Sequence, residues 1–119
     1  MALFPVDREL EVSSANPAAA NNQTLAAAAG FRTYITGFSV TGGGATGASI
    51  IAVTITGLTN TLTYHVPIPA GAAVGVTPLV VQFIRPIPAS ADNTAIVVNV
   101  PSFGAGNTAA SASAQGFQA

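Results

Sequence analysis

The sequence predicts a single all-β domain, and three observations support this prediction. The chain has 119 residues, a length that suits one hydrophobic core. Between residues 22 and 101, Val, Ile, Thr, Tyr and Phe recur with a period of two, as in half-buried strands. Gly, Pro and Asn interrupt this alternation roughly every 8 to 12 residues, the turn spacing of sandwiches and barrels. We therefore expect seven or eight short antiparallel strands.

The alternation is clearest in three segments. In 51–56 the large apolar residues lie on one face, and Ala and Thr lie on the other. The segment 62–66 places Leu62, Tyr64 and Val66 opposite Thr63 and His65. In 96–100, Ile and Val again alternate with smaller or polar residues. Each pattern indicates a strand with one face in the core.

Four further segments are predicted strands with less regular patterns. In 31–41 the alternation breaks near Thr36 and Gly37, which indicates a bulge. The segment 78–85 is apolar on both faces, so we expect it to be buried on both sides, either in the core or at a subunit interface. Residues 22–29 are a short strand despite four alanines of high helix propensity. The tail, 107–117, is a closing strand anchored by Phe117 or a partly disordered segment.

Ionic groups are scarce, since only 6% of the residues are charged, against about 25% in a typical soluble domain. Four of these charges lie at positions 7, 8, 9 and 11, which leaves Arg32, Arg85 and Asp92 for the rest. A surface so neutral is typical of a protein whose faces are covered in its working state, although a neutral Ser, Thr and Asn surface on a monomer is the alternative. Three arginines are too few to bind nucleic acid.

The residues that usually carry catalysis or metal binding are largely missing. The chain has no cysteine and one histidine, His65, which we expect at the surface or at an interface. A triad using His65 and Asp92 has no nucleophile motif to support it. The run of glycines at 42–44 lacks the Lys that follows in a phosphate-binding loop. We therefore predict that the protein is not an enzyme and has no cofactor, no metal and no catalytic residue.

The N-terminal segment is the candidate for partner binding. Residues 1–20 hold the charge cluster, whereas residues 21–119 form the predicted sandwich domain. Apolar and charged side chains alternate in an order typical of an extended arm that adds to a sheet edge. The alternative is that residues 1–20 are the first strand of the same sandwich. The predicted interface residues are Phe4, Val6, Arg8, Glu9, Leu10 and Val12.

Two stretches are similar to small β-sandwich structural proteins of tailed bacteriophages. They are QTLAAAAGFRTYITGFSV at 23–40 and FIRPIPASADNTAIVV at 83–98. The similarity extends over about residues 20–117 and consists of pattern, with no catalytic motif. It implies a jelly-roll-like sandwich that forms a trimer or a dimer on a capsid, or a related role in the tail or fibre.

The resemblance implies a capsid decoration or cement protein. Its partners would be copies of itself, as a homotrimer or a dimer, and the major capsid protein. It would be made in the host cytoplasm and would end on the capsid surface of the virion. The alternative is a phage tail or fibre protein, or a receptor-binding or carbohydrate-binding β-sandwich module. No membrane partner is expected, because the longest uncharged stretch, 33–84, is interrupted by Gly and Pro.

Overall fold

A computed structural model describes residues 8–104 and 107–119 of the chain. Within these ranges the protein is all-β with no helix, so no helix in the described part is long and apolar enough to cross a membrane. The described residues form eight strands: β1 (Arg8–Ser14), β2 (Gln23–Leu25), β3 (Thr33–Gly43), β4 (Ser49–Thr56), β5 (Leu62–Ile68), β6 (Leu79–Pro88), β7 (Ile96–Asn99) and β8 (Ala109–Gln118).

The strands form two four-stranded antiparallel sheets that face each other. Sheet I has the order β1-β8-β3-β6, and sheet II has the order β2-β7-β4-β5. The pairing is nested, because β1 pairs with β8, β2 with β7, β3 with β6 and β4 with β5. The predicted antiparallel β-sandwich of seven or eight strands is therefore confirmed.

The core lies between the sheets and is built from the inner side chains that the alternation predicted. The inward residues of β4 are Ile51, Val53 and Ile55, each at most 7% exposed. Across the interior, Phe38 of β3 is 1% exposed, and Tyr64 contacts it edge to face with ring centroids 5.3 Å apart. These apolar side chains exclude water from both sheets at once, which couples the stability of the two sheets.

The tail is an internal strand rather than a disordered end. β8 lies between β1 and β3, with alanines on its inner side and serines on its outer side. Gly116 continues the inner row, where an added Cβ would lie 2.0 Å from the Tyr34 carbonyl oxygen. Small residues are needed here because β8 is packed closely on both edges and on its inner face.

Two predicted strands differ from expectation in detail. β2 covers only Gln23–Leu25, since the chain turns after Leu25 and Phe31 N–H donates to the Ala28 carbonyl at 3.1 Å. β6 is not buried on both faces, because its outer residues Val80 and Ile84 are 64% and 102% exposed. Burial of β6 in the core of a single chain is therefore wrong, and burial at a subunit interface stays a prediction.

The bulge in β3 is confirmed, and it is accompanied by a larger one in β6. Ile35 pairs with Ile87, and Gly37 pairs with Gln82. Between these pairs β3 has one residue and β6 has four, residues 83–86. The four-residue segment 83–86 is here named the β6 bulge; Phe83 packs against the core, whereas residues 84–86 are exposed.

Prolines lie in the edge strands, where a missing N–H does not interrupt the ladder. Pro67 is in β5, and Pro86 and Pro88 are in β6, both of which are edge strands. Proline at an edge also prevents a further strand from pairing there. The β6 edge is therefore a poor template for continuous strand addition.

A buried amide fixes β1 to the sandwich. Asn21 is 1% exposed, and its Oδ1 accepts from Ser14 Oγ at 2.9 Å and from Asn16 N–H at 2.8 Å. Its Nδ2 donates to the Asn16 carbonyl at 3.0 Å. Gln23 Nε2 also donates to Ser14 Oγ, at 2.5 Å. The turn that follows β1 is thus held by a local network in which both ends of Asn21 are used.

Candidate interaction surface

The centre of the outer face of sheet I is neutral and rich in hydroxyl groups. Ser39 and Ser113 are paired across β3 and β8 with their hydroxyl oxygens 2.6 Å apart, and Thr41 and Ser111 are paired in the same way at 2.6 Å. Thr36 Oγ1 donates to a carbonyl of β8 at 3.0 Å. These hydroxyls form hydrogen bonds with one another. Another surface can therefore cover them and leave few polar groups without a hydrogen-bond partner.

An aromatic pair borders this neutral centre. The rings of Tyr34 and Phe117 stack with centroids 4.8 Å apart and planes 13° apart. They are directly opposed in the β3 and β8 register, and both are half-buried. Such a pair gives the outer face a rigid apolar element beside its hydroxyls.

The β1 edge of sheet I is acidic. Glu9 and Glu11 are exposed on the outer face, opposite Phe117 and Gln115. No hydrogen bond or ion pair with a described residue occupies either carboxylate. With Thr36 they line a groove of about 490 Å³, here named the acidic groove.

The opposite edge of sheet I is apolar and cationic. Val80 and Ile84 are the exposed large apolar residues of β6, and Arg85 is exposed beside Ile84 in the β6 bulge. Next to this edge is a groove of about 670 Å³ that shares Thr36 and Gln115 with the acidic groove. The two grooves therefore lie side by side on the outer face of sheet I.

The outer face of sheet II has a different character. Asn99 Nδ2 donates to Thr56 Oγ1 at 3.2 Å, within a row of threonines that is partly exposed. His65 is exposed opposite Ala52, and Ile50 is 71% exposed at the end of β4. This face carries no carboxylate or guanidinium on its strands.

The predicted interface residues of the N-terminal segment divide between the two sides of β1. Leu10 and Val12 pack against the core of their own chain, whereas Glu9 faces outward. The Arg8 guanidinium lies 4.8 Å from the centroid of the Phe31 ring. Phe4 and Val6 lie outside the described residues. In its described part, the segment is therefore the first strand of sheet I.

The β6 edge was not among the predicted interface residues, although the sequence contained a signal for it. The segment 78–85 is apolar on both faces, which a strand at a solvent-exposed edge does not need. The signal did not separate an internal strand from an interface strand. The strand order places β6 at an edge and so excludes an internal strand, whereas a subunit interface stays a prediction.

The candidate catalytic residues are not assembled into a site. His65 lies on the outer face of sheet II, whereas Asp92 is in the turn after β6, where its Oδ1 is 3.1 Å from Arg32 Nε. Within residues 8–104 and 107–119 there is no group of three His, Cys, Asp or Glu that would hold a metal ion. The interaction surface is therefore the feature of the described residues that best accounts for the composition.

Neither a protein-family model, nor a curated protein, nor a solved structure matches this chain.

Proposed function

We propose that the protein is a structural virion protein that decorates and stabilises a bacteriophage capsid by packing as an oligomer onto the major capsid protein. The observation that carries the proposal is the outer face of sheet I. Its centre is neutral and internally hydrogen-bonded, while its two edges carry exposed apolar and charged groups without partners among the described residues. Covering such a face costs little free energy, because few of its polar groups are left without a hydrogen-bond partner.

The nested strand pairing supports a more specific fold. The first strand pairs with the last, the second with the last but one, and the two middle strands with each other. This order results when one long hairpin rolls up into two sheets, as in a jelly roll. We propose that the sandwich is a jelly roll. This is the fold that the resemblance to phage structural proteins implies, and capsid proteins are among those that use it.

The low charge supports repeated packing rather than catalysis or nucleic-acid binding. A homotrimer, or alternatively a dimer, would present several identical contacts to a symmetric capsid lattice. Weak contacts repeated by symmetry then add through effective concentration, so that no single contact needs to be strong. A charge-poor surface avoids desolvating ions at each of these contacts.

The location of the chain on virus particles tests the proposal. Particles of a phage that encodes the chain are purified, and an antibody against the chain is used for immunogold labelling. The proposal predicts label over the capsid in many copies. Label confined to the tail would support the tail or fibre alternative instead, and absence of the chain from the particle would contradict both.

The acidic groove favours the second candidate, a receptor-binding or carbohydrate-binding module. It combines the Phe117 ring with Gln115, Glu9 and Glu11, which are groups that stack on and hydrogen-bond to sugars. Tyr64, by contrast, packs against Phe38 in the interior and is not available to a ligand. This candidate predicts glycan-array binding that Phe117→Ala abolishes and His65→Ala leaves unchanged. An array without any binding would contradict it.

A further inference from the structure

Two of the three arginines contact other described residues through their guanidinium groups, and the third forms no such contact with the described part of the chain. Arg8 stacks on Phe31, and Arg32 forms an ion pair with Asp92. Arg85 is exposed in the β6 bulge and has no ion pair or hydrogen bond with a described residue. The bulge therefore presents a guanidinium beside a fully exposed isoleucine.

The complementary charges lie at the other edge of the same sheet. Glu9 and Glu11, also without partners in the described ranges, flank the acidic groove. β8 and β3 separate β1 from β6, so the two edges are three strand spacings, about 14 Å, apart. Arg85 therefore complements the acidic groove of another molecule better than that of its own.

We propose that copies of the chain associate head to tail, with the β6 bulge of one copy seated in the acidic groove of the next. Ile84 contacts the apolar floor beside Phe117, and Arg85 lies between Glu9 and Glu11. The occupant of the groove is thus a second copy of this chain.

Two other ways of pairing at the same edge fit the structure less well. Continuous strand addition at β6 is blocked by Pro86 and Pro88 and by the bulge itself. A two-fold contact between β6 edges would place Arg85 near its own symmetry copy and would leave both glutamates without partners. A head-to-tail contact pairs all three charged groups.

This inference rests on the proposed function in one respect, because it names the surfaces by which copies of the chain pack together. A head-to-tail contact joins two different patches, so it closes into a ring when the rotation between copies allows. Two copies that exchange the contact about a two-fold axis are the smallest closed assembly and three copies are the next, in accord with the homotrimer or dimer expected from the resemblance. Ring formation in solution is independent of binding to any particle.

Charge reversal tests the contact by sedimentation equilibrium of the purified full chain. Arg85→Glu alone, and Glu9→Arg with Glu11→Arg, each weaken association, because like charges then face each other. A chain that carries all three reversals regains the wild-type oligomer. Ile84→Ser raises the dissociation constant by about tenfold or more, since the contact loses a buried apolar side chain.

Ile50→Ser is the matched control, because Ile50 is a similarly exposed isoleucine on the outer face of sheet II. It leaves the dissociation constant unchanged. A wild-type chain that remains monomeric at millimolar concentration would overturn the inference, as would failure of the triple reversal to restore association in a folded chain. Normal rings without label on virus particles would contradict the proposed function and leave this contact intact.

Discussion

The two sheets share one core but differ on their outer faces. The outer face of sheet I has the acidic groove at one edge and the exposed Ile84 and Arg85 at the other. The outer face of sheet II has one exposed isoleucine, one histidine and a threonine row, with no charged side chain on its strands. Both sheets contribute buried side chains to the core, so core packing alone does not account for the difference. We propose that sheet I is the one that meets a partner.

The largest expected effect on the free energy of unfolding comes from variants in the shared core. These variants test whether the two sheets differ only on their outer faces. Phe38→Ala in sheet I should lower the free energy of unfolding by about 3–5 kcal/mol, because it leaves a large cavity in the core. Ile96→Ala in sheet II should cost about 2–5 kcal/mol for the same reason. Urea unfolding followed by circular dichroism measures both. Two separate transitions would show that the sheets do not share one core.

A smaller effect is expected in the turn between β1 and β2, which links sheet I to sheet II. Asn21→Ala should cost about 1–3 kcal/mol, because it removes a buried amide and leaves Ser14 and Asn16 without their partner. Asn60→Ala, at an exposed turn position, is the control and should stay within about 0.5 kcal/mol. Equal losses for the two variants would contradict the proposed role of Asn21.

Removal of one hydroxyl from each outer face compares how much such groups stabilise sheet I and sheet II. Ser39→Ala should cost about 0.5–1.5 kcal/mol, because Ser113 then loses the Ser39 hydroxyl and keeps only the longer hydrogen bond from Gln115 Nε2, at 3.3 Å. Thr63→Ala is the matched change on the outer face of sheet II, where its side chain is exposed, and should cost less. Thermal unfolding of the two variants side by side provides the measurement. A greater loss of stability for Thr63→Ala than for Ser39→Ala would contradict this prediction.

The smallest effect is expected at the one histidine. His65→Ala should change the free energy of unfolding by no more than about 0.5 kcal/mol and should leave self-association unchanged, since His65 is exposed on the outer face of sheet II. Chemical unfolding and sedimentation of the variant measure these two properties. A marked loss of self-association would assign sheet II a role that the account gives to sheet I.

Much of the fold was predictable because its signal is local. The alternation of apolar with small or polar residues predicted β4, β5 and β7. The break in this alternation at Thr36 and Gly37 predicted the bulge in β3. The order of strands was not predictable, since pairing of β1 with β8 joins residues more than 90 positions apart and depends on long-range packing. The tail illustrates the limit, because its small residues make sense only once β8 is seen between two neighbours.

The candidate surface was predictable only in part. Glu9 was identified from the charged N-terminal cluster, and it does lie at the acidic groove. Leu10 and Val12 were assigned to a partner, yet they pack against their own core, because alternation cannot distinguish an added strand from an edge strand. The β6 bulge escaped prediction because a three-residue excess in one strand appears only when its pairing partner is known.

Cysteine cross-linking tests the central claim most directly, since the chain has no cysteine of its own. The double variant Ile84→Cys with Gln115→Cys places one thiol on the β6 bulge and one in the acidic groove. Within one chain the two strands are two spacings apart, about 10 Å, which is beyond the reach of a disulfide. Mild oxidation should give covalent oligomers on a non-reducing gel, whereas Ile50→Cys with Gln115→Cys should not. Monomers alone from the first variant, or equal cross-linking of both, would contradict the account.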